Sequence, residues 1–132
     1  MKVLIVEDET SAYEYLSELL SDMDDSIEIV ANTEGVQQTV RWLESNPSPD
    51  LIMMDIHLSD GSAFAIFDRI KVETPIIFTT AYDRYAIDAF KVNSIDYLLK
   101  PVKPEALNDA LEKFRKLTRV ELKDYLERMS LL

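Results

Sequence analysis

The sequence predicts an α/β fold built on a five-stranded parallel sheet. Five short apolar segments alternate with segments of helical periodicity, which is the pattern of repeated β-α units. The first, third and fourth are more continuously apolar than the others, as expected for central parallel strands that are covered on both faces. The strands are predicted near residues 2–7, 26–31, 50–55, 75–80 and 95–100. Five such units favour a doubly wound, flavodoxin-like sheet with strand order 2-1-3-4-5 and right-handed crossovers.

Helices are predicted between these strands from apolar stripes of helical spacing. Their ranges are 10–23, 34–45, 62–72, 83–92 and a last helix that begins after Pro104. Thr10 suits the N-terminal cap of the first helix, and Pro104 suits a first-turn position of the last. No sixth strand follows, so we expect a folded domain over 1–117 and the start of a linker helix over 118–132.

Composition limits the function classes. The 132 residues suit one domain, and their net charge of −11 argues against direct binding of nucleic acid. Two glycines are too few for a P-loop or a dinucleotide fingerprint. The chain has no cysteine and no basic-then-apolar leader, and no run of about 18 apolar residues that could span a membrane. We therefore expect a cytoplasmic protein without disulfides or membrane contact.

Chemically useful side chains stand at the ends of the predicted strands. Glu7 and Asp8 follow the first strand, Asp55 ends the third, Thr80 ends the fourth and Lys100 ends the fifth. The carboxyl ends of parallel strands meet at one edge of the sheet, so these side chains are expected to converge. Clustered carboxylates repel one another unless a cation intervenes, and Mg²⁺ suits one or two carboxylates, waters and a phosphate. The sequence therefore predicts a magnesium-dependent phosphoryl-acceptor site.

Asp55 is the predicted nucleophile, because a carboxylate that attacks phosphorus forms an acyl phosphate. Asp8 and Asp55 are the expected direct magnesium ligands, and Glu7 has a longer side chain that would act through water. The backbone carbonyl of His57 is a better candidate ligand than its imidazole. Taken alone, the acidic run at 7–9 is more typical of a solvated turn. Its match with Asp55 favours the metal site.

Two further residues complete the predicted site. Lys100 would pair with one phosphoryl oxygen, and the proline that follows it restricts its backbone to an extended conformation. Thr80 would donate a hydrogen bond to another phosphoryl oxygen. Because Thr79 is adjacent, side-chain alternation along the strand allows only one of the two hydroxyls to face the site.

Four segments of the chain resemble the receiver domain of bacterial response regulators. They are LIVEDE at 4–9, MMDIHLSDG at 53–61, FTTAYD at 78–83 and DYLLKPV at 96–102. The resemblance covers residues 1 to about 117, with all the marker positions in the expected order. A longer string, TAYDRYAIDAFKVNSIDYLLKPV at 80–102, is similar to receivers of the LytTR group.

The resemblance implies a role for each matched residue. The phospho-acceptor that takes phosphate from a sensor histidine kinase would be Asp55; the metal site would comprise Glu7, Asp8, Asp55 and the His57 carbonyl; the switch residues would be Thr80 and Tyr97; and the family's lysine with its usually cis proline would be Lys100-Pro101. Phosphorylation is expected to shift the 82–100 face between two packings. That face carries Tyr85, Ala89, Val92 and Tyr97. It would mediate homodimerisation; the alternative is that these apolar residues belong to the core, as helical stripes normally do.

The resemblance implies that the switch acts through a further domain, and we expect this sequence to be a receiver excised from such a protein. The LytTR group carries a DNA-binding domain after a linker, so DNA would be bound only through that domain. A stand-alone receiver acting through protein contacts is the alternative. An aspartyl-nucleophile phosphatase usually has a second Asp where this chain has His57. In a flavin-binding electron carrier of the same fold, the first loop would bind the flavin phosphate, which the acids at 7–9 would repel. An interaction module that accepts no phosphate would not need the marker residues. We therefore expect a phospho-accepting signalling domain rather than an enzyme.

Overall fold

A parallel sheet of five strands forms the centre of the computed structural model, which describes residues 1–81, 95–117 and 119–129. In chain order the strands are β1 (Lys2–Val6), β2 (Glu28–Thr33), β3 (Leu51–Asp55), β4 (His57–Leu58), β5 (Gly61–Ser62), β6 (Ile76–Thr80) and β7 (Asp96–Leu99). The sheet has the order β2-β1-β3-β6-β7, and β4 and β5 form a separate antiparallel hairpin. The predicted fold class and strand order are confirmed.

Five helices belong to the described residues. They are α1 (Thr10–Met23), α2 (Val36–Ser45), α3 (Phe64–Arg69), α4 (Pro104–Arg115) and α5 (Arg119–Met129). Thr10 is the first residue of α1 rather than its cap; Glu9 holds the cap position and forms no side-chain cap hydrogen bond. The third helix is shorter than the predicted 62–72, because β5 and the residues after it take up the start of that range. The predicted helix at 83–92 lies outside the described residues.

The core lies on the strands that the sequence predicts to be central. Every residue of β3 and β6 is buried, and so is β1 from Val3 onward. Helices α1, α2 and α4 cover the sheet with apolar stripes that include Leu16, Leu20, Val36, Val40, Leu107 and Leu111. Burial of this kind is the main stabilising contribution to the fold. It holds the strand ends in a constant relation to one another.

Strand β2 lies two residues further along the chain than predicted. Asn32 and Thr33 pair with Ile5 and Val6 of β1, so the strand continues beyond the alternating segment that indicated it. The Asn32 side-chain amide donates hydrogen bonds to the carbonyl oxygens of Ile5 and Glu7, each at 3.1 Å. A polar residue therefore extends this edge strand by bonding its neighbour's backbone, which apolar periodicity does not indicate.

Candidate functional site: an acidic cluster at the carboxyl edge of the sheet

Three carboxylates meet where β1 and β3 end. The two strands are adjacent and parallel, and Val6 pairs with Met54, so Glu7 and Asp55 stand side by side. One carboxylate oxygen from each of Glu7, Asp8 and Asp55 lies within 4.8 Å of the other two. Glu7 and Asp55 are buried, with exposed fractions of 4% and 6%, and Asp8 is half-buried. The sheet topology thus brings Asp55 together with two acids that precede it by 47 and 48 residues in the chain.

The ammonium group of Lys100 joins two of these carboxylates. Its Nζ lies 2.5 Å from Glu7 Oε1 and 2.9 Å from Asp55 Oδ2. The Lys100 backbone N–H donates to the Thr80 carbonyl at 2.8 Å, which continues the pairing of β7 with β6 up to the site. The Lys100–Pro101 peptide bond is cis, the conformation that the resemblance implies.

The pKa values of this cluster reflect its burial. Burial raises the pKa of the Glu7 carboxyl above its ordinary value, and hydrogen bonds from Lys100 and the Glu9 N–H offset this only in part. Burial alone would lower the pKa of the Lys100 ammonium. Its hydrogen bonds to Glu7 and Asp55 outweigh that effect, so the Lys100 pKa is raised. The cluster therefore favours a positive charge among its acids.

Two threonine hydroxyls stand at the end of β6. Asp55 pairs with Thr79 in the sheet, and the N–H of the next residue, Ile56, donates to the Thr79 carbonyl at 3.0 Å. Thr79 is 3% exposed and Thr80 is 1% exposed. Thr79 also contributes to the cleft beside Glu7 and Lys100. Thr79 and Thr80, the two candidates that side-chain alternation leaves open, are thus both buried at the carboxyl edge of the sheet.

His57 lies two residues after Asp55, the predicted acceptor, and is exposed. Its backbone N–H donates to Asp55 Oδ1 at 3.3 Å, so it orients the carboxylate directly. His57 opens the β4–β5 hairpin, where it pairs with Ser62. Its backbone N–H therefore contacts the acidic cluster, while its side chain is exposed.

The predicted switch aromatic, Tyr97, lies on β7, which β6 separates from the acid-bearing strand β3. Tyr97 is half-buried on β7 and pairs with Phe78 of β6. Leu99 on the same strand is 48% exposed. Tyr85, Ala89 and Val92, the other predicted residues of this face, lie outside the described residues.

A cleft of about 400 Å³ opens beside the cluster, between α1 and the segment that follows β7. Glu7, Lys100 and Ala81 line it, together with Tyr15 of α1. The Tyr15 hydroxyl donates to the Val102 carbonyl at 2.8 Å, a contact that the sequence does not indicate. A larger cleft of about 560 Å³ lies between residues 67–73 and α5, and it contains none of the predicted site residues.

The fold and the site together define a class of protein. A model of the response regulator receiver domain matches residues 3–112, and the chain belongs to that family. Receiver domains are signalling domains. A solved structure of the response regulatory domain of protein mrkE from Klebsiella pneumoniae has a TM-score of 0.74 and 28% identity. The match covers 94% of this chain and 99% of that one.

The curated relatives indicate the type of receiver. The sensory transduction protein LytT of Bacillus anthracis is 39% identical over 119 residues, which are 88% of this chain and 48% of the relative. The positive alginate biosynthesis regulatory protein of Pseudomonas aeruginosa is 34% identical over 125 residues, 92% of this chain and 50% of the relative. The predicted resemblance to this group of receivers is confirmed. The chain spans about half the length of these relatives.

The helices that the structure describes are too short or too polar to cross a bilayer.

Proposed function

We propose that this domain accepts a phosphoryl group from a sensor histidine kinase on Asp55 and passes the signal on through a change in its 82–100 face. One observation carries the proposal most strongly. The buried Asp55 carboxylate lies within 4.8 Å of two other carboxylates and 2.9 Å from the Lys100 ammonium. A nucleophile, a cation site and a positive charge for phosphoryl oxygens are the requirements of this transfer.

The donor set suits magnesium. The three clustered side chains offer oxygen atoms alone, which is the ligand chemistry of a hard dication. Asp8 and Asp55 would bind it directly, with the His57 carbonyl as a third protein ligand and Glu7 acting through water. When bound, Mg²⁺ would neutralise charge on the phosphoryl oxygens. The raised Glu7 pKa supports the fit, because it reflects a burial cost that a cation would relieve.

The residues of the chain supply the remaining chemistry. An Asp55 carboxylate oxygen would form the new bond to phosphorus while the bond from phosphorus to the kinase histidine nitrogen breaks, leaving an acyl phosphate on Asp55. Lys100 would turn from the carboxylates to a phosphoryl oxygen. Thr80 would donate a hydrogen bond to another. Its movement would leave space for Tyr97, which changes the surface around β7.

Asp55→Asn tests the acceptor directly. The variant should take up no phosphoryl group from acetyl phosphate with Mg²⁺, because an amide is not a nucleophile toward phosphorus under these conditions. Intact-mass spectrometry measures the incorporation. Asp50→Asn, which alters the exposed aspartate at the other end of the same strand, should be labelled as wild type is. Equal labelling of the Asp55→Asn protein would remove Asp55 from the role.

The output is proposed to be dimerisation through the 82–100 face, which would raise the DNA affinity of an attached LytTR domain by joining two half-site readers. The names of the curated relatives, which are about twice as long, support a regulatory output. Beryllium fluoride, a phosphoryl mimic, should convert the wild-type chain to a dimer in sedimentation velocity and leave Asp55→Asn monomeric. Equal sedimentation of wild type with and without the mimic would contradict switching by dimerisation and would favour other protein contacts.

The proposed receiver spans residues 1–117, and 118–132 would begin the linker to the output domain. In the structure α5 forms within this second segment, and its Met129 is 3% exposed. A chain that ends at residue 117 should still accept phosphate, because every proposed site residue precedes that point.

A further inference from the structure

The tip of the β4–β5 hairpin makes an unusual contact with α2. Asp60 lies at this tip, and its Oδ1 accepts a hydrogen bond from the Val36 N–H at 2.7 Å. Its Oδ2 accepts another from the Gln37 N–H at 3.1 Å. These are two of the first N–H groups of α2, which have no partners inside the helix. Asp60 therefore caps a helix that begins 24 residues earlier in the chain.

The chain has two glycines, and both lie at this contact. Gly35 holds the cap position of α2, where a side chain normally supplies the capping oxygen. A Cβ atom at Gly35 would lie 2.7 Å from Asp60 Oδ1, so the close approach needs a residue without one. Gly61 follows Asp60 with a φ of +138°, a backbone conformation that L-residues rarely adopt. Gly35 thus leaves room for the Asp60 carboxylate, and Gly61 adopts the positive φ of the turn that holds Asp60.

The hairpin transmits this position to the site over a short distance. His57 pairs with Ser62 and Leu58 pairs with Gly61, so the hairpin is a single tight unit. Its base is closed by the Ala63 N–H, which donates to the Ile56 carbonyl at 2.8 Å. His57 stands three residues before Asp60, and its N–H contacts the Asp55 carboxylate. A displacement at the tip must therefore be taken up close to His57.

We propose that Asp60 is a positioning residue: by anchoring the hairpin to the N-terminus of α2, it holds the His57 backbone where its carbonyl completes the metal site. The inference rests on the proposed function, since it assigns a support to the proposed magnesium ligand. It makes α2 part of the machinery that determines metal affinity, although α2 contributes no ligand.

Mg²⁺ titration of the full chain by isothermal calorimetry tests this role. Asp60→Ala removes both capping bonds, and Asp60→Asn removes the charge but keeps a carbonyl oxygen able to accept one bond. Gly35→Ala keeps the charge and pushes the carboxylate away. The matched control is Asp50→Ala, which removes an exposed carboxylate that accepts the Lys2 N–H at 2.7 Å at the opposite edge of the sheet.

Asp60→Ala should weaken Mg²⁺ binding by about tenfold, at the lower end of the loss that follows removal of an outer support of a metal ligand. Gly35→Ala should weaken it several-fold, and Asp60→Asn should fall between Asp60→Ala and wild type. Asp50→Ala should bind Mg²⁺ as wild type does, even where urea unfolding shows that it is destabilised as much as Asp60→Ala. Metal affinity thus separates positioning from general stability.

The double variant sharpens the test. Once Asp60 is alanine, the Cβ added at Gly35 has no carboxylate to displace, so Asp60→Ala with Gly35→Ala should bind Mg²⁺ as weakly as Asp60→Ala alone. Wild-type affinity in the Asp60→Ala protein, or additive losses in the double variant, would overturn the positioning role and leave the proposed function intact. Absence of Mg²⁺ binding by the wild-type chain would overturn the magnesium site itself.

Discussion

Strand β3 carries an aspartate at each end, and the two have opposite environments. Asp50 precedes the strand, is exposed, and accepts a hydrogen bond from the Lys2 backbone N–H. Asp55 ends the strand, is buried, and contacts the Lys100 ammonium next to a second buried acid, Glu7. An aspartate thus accepts a backbone hydrogen bond at the amino edge of the sheet, whereas at the carboxyl edge it lies buried among charged side chains.

The environments of Asp50 and Asp55 differ because the neighbouring strands place different groups at the two edges of the sheet. At the amino edge the contacts of β3 and β6 are to backbone groups, as with the buried Thr74 hydroxyl, which donates to the Pro49 carbonyl at 3.2 Å. At the carboxyl edge, charged side chains from β1, β3 and the end of β7 meet. A carboxylate has charged side chains as neighbours here because other strands end beside it.

Removal of the Lys100 side chain should have the largest effect. Lys100→Ala leaves two buried carboxylates without their cation, and breaking such a pair should lower the free energy of unfolding by about 3 kcal/mol in metal-free buffer. Lys2→Ala is the matched control at the amino edge, since the Lys2 backbone makes the contact with Asp50. Urea unfolding with a chelator present measures both. Equal stability of the two variants would contradict the contrast between the edges.

The threonines of the β6 region separate the edges by function. Thr80→Val should slow phosphorylation by acetyl phosphate about tenfold, which corresponds to one hydrogen bond to a charged group. Thr74→Val should cost about 1 kcal/mol of stability and leave phosphorylation unchanged. Thr79→Val is the second comparison, and labelling rates identify the hydroxyl that faces the acceptor. A tenfold loss in Thr79→Val with normal labelling of Thr80→Val would reassign the role to Thr79.

The two edges should also differ in the sign of their pH dependence. Hydrogen bonds from Ser26 lower the pKa of Asp24, which lies before β2. The Asp24 carboxyl therefore contributes to the free energy of unfolding above its unfolded-state pKa of about 3.9. This contribution is lost as the pH falls through the folded-state pKa. Burial raises the pKa of Glu7. The Glu7 carboxyl therefore contributes to the free energy of unfolding below its unfolded-state pKa of about 4.3, and this contribution is lost as the pH rises through the folded-state pKa.

Amide variants measure these opposite signs. The stability advantage of wild type over Asp24→Asn should shrink as the pH falls below about 4. Relative to Glu7→Gln, wild type should instead lose stability as the pH rises from about 4 toward neutrality in metal-free buffer. Urea unfolding at a series of pH values gives both differences. Two differences that change in the same direction with pH would show that the edges do not differ in this respect.

Much of this arrangement was predictable from the sequence, for a physical reason. The topology of a parallel sheet brings strand ends together, so Glu7, Asp8, Asp55 and Lys100 could be placed at one edge from their positions alone. Side-chain contacts between distant elements were not predictable in this way. Asp60-Gly61 reads as a turn, and nothing local indicates that its carboxylate caps α2. Gly35 in the cap position of α2, with no side chain to supply a capping oxygen, is the one signal that the cap of this helix comes from elsewhere.

Metal sites often couple folding to metal binding, whereas here the Lys100 ammonium pairs with the clustered carboxylates. Many clustered acids stay apart until an ion arrives, which makes folding dependent on metal supply. Here the chain provides its own counter-ion, held between Glu7 and Asp55. The carboxylates are therefore already paired in the folded domain without a bound ion, and the Mg²⁺ of the proposed function would bind to a cluster that is already formed.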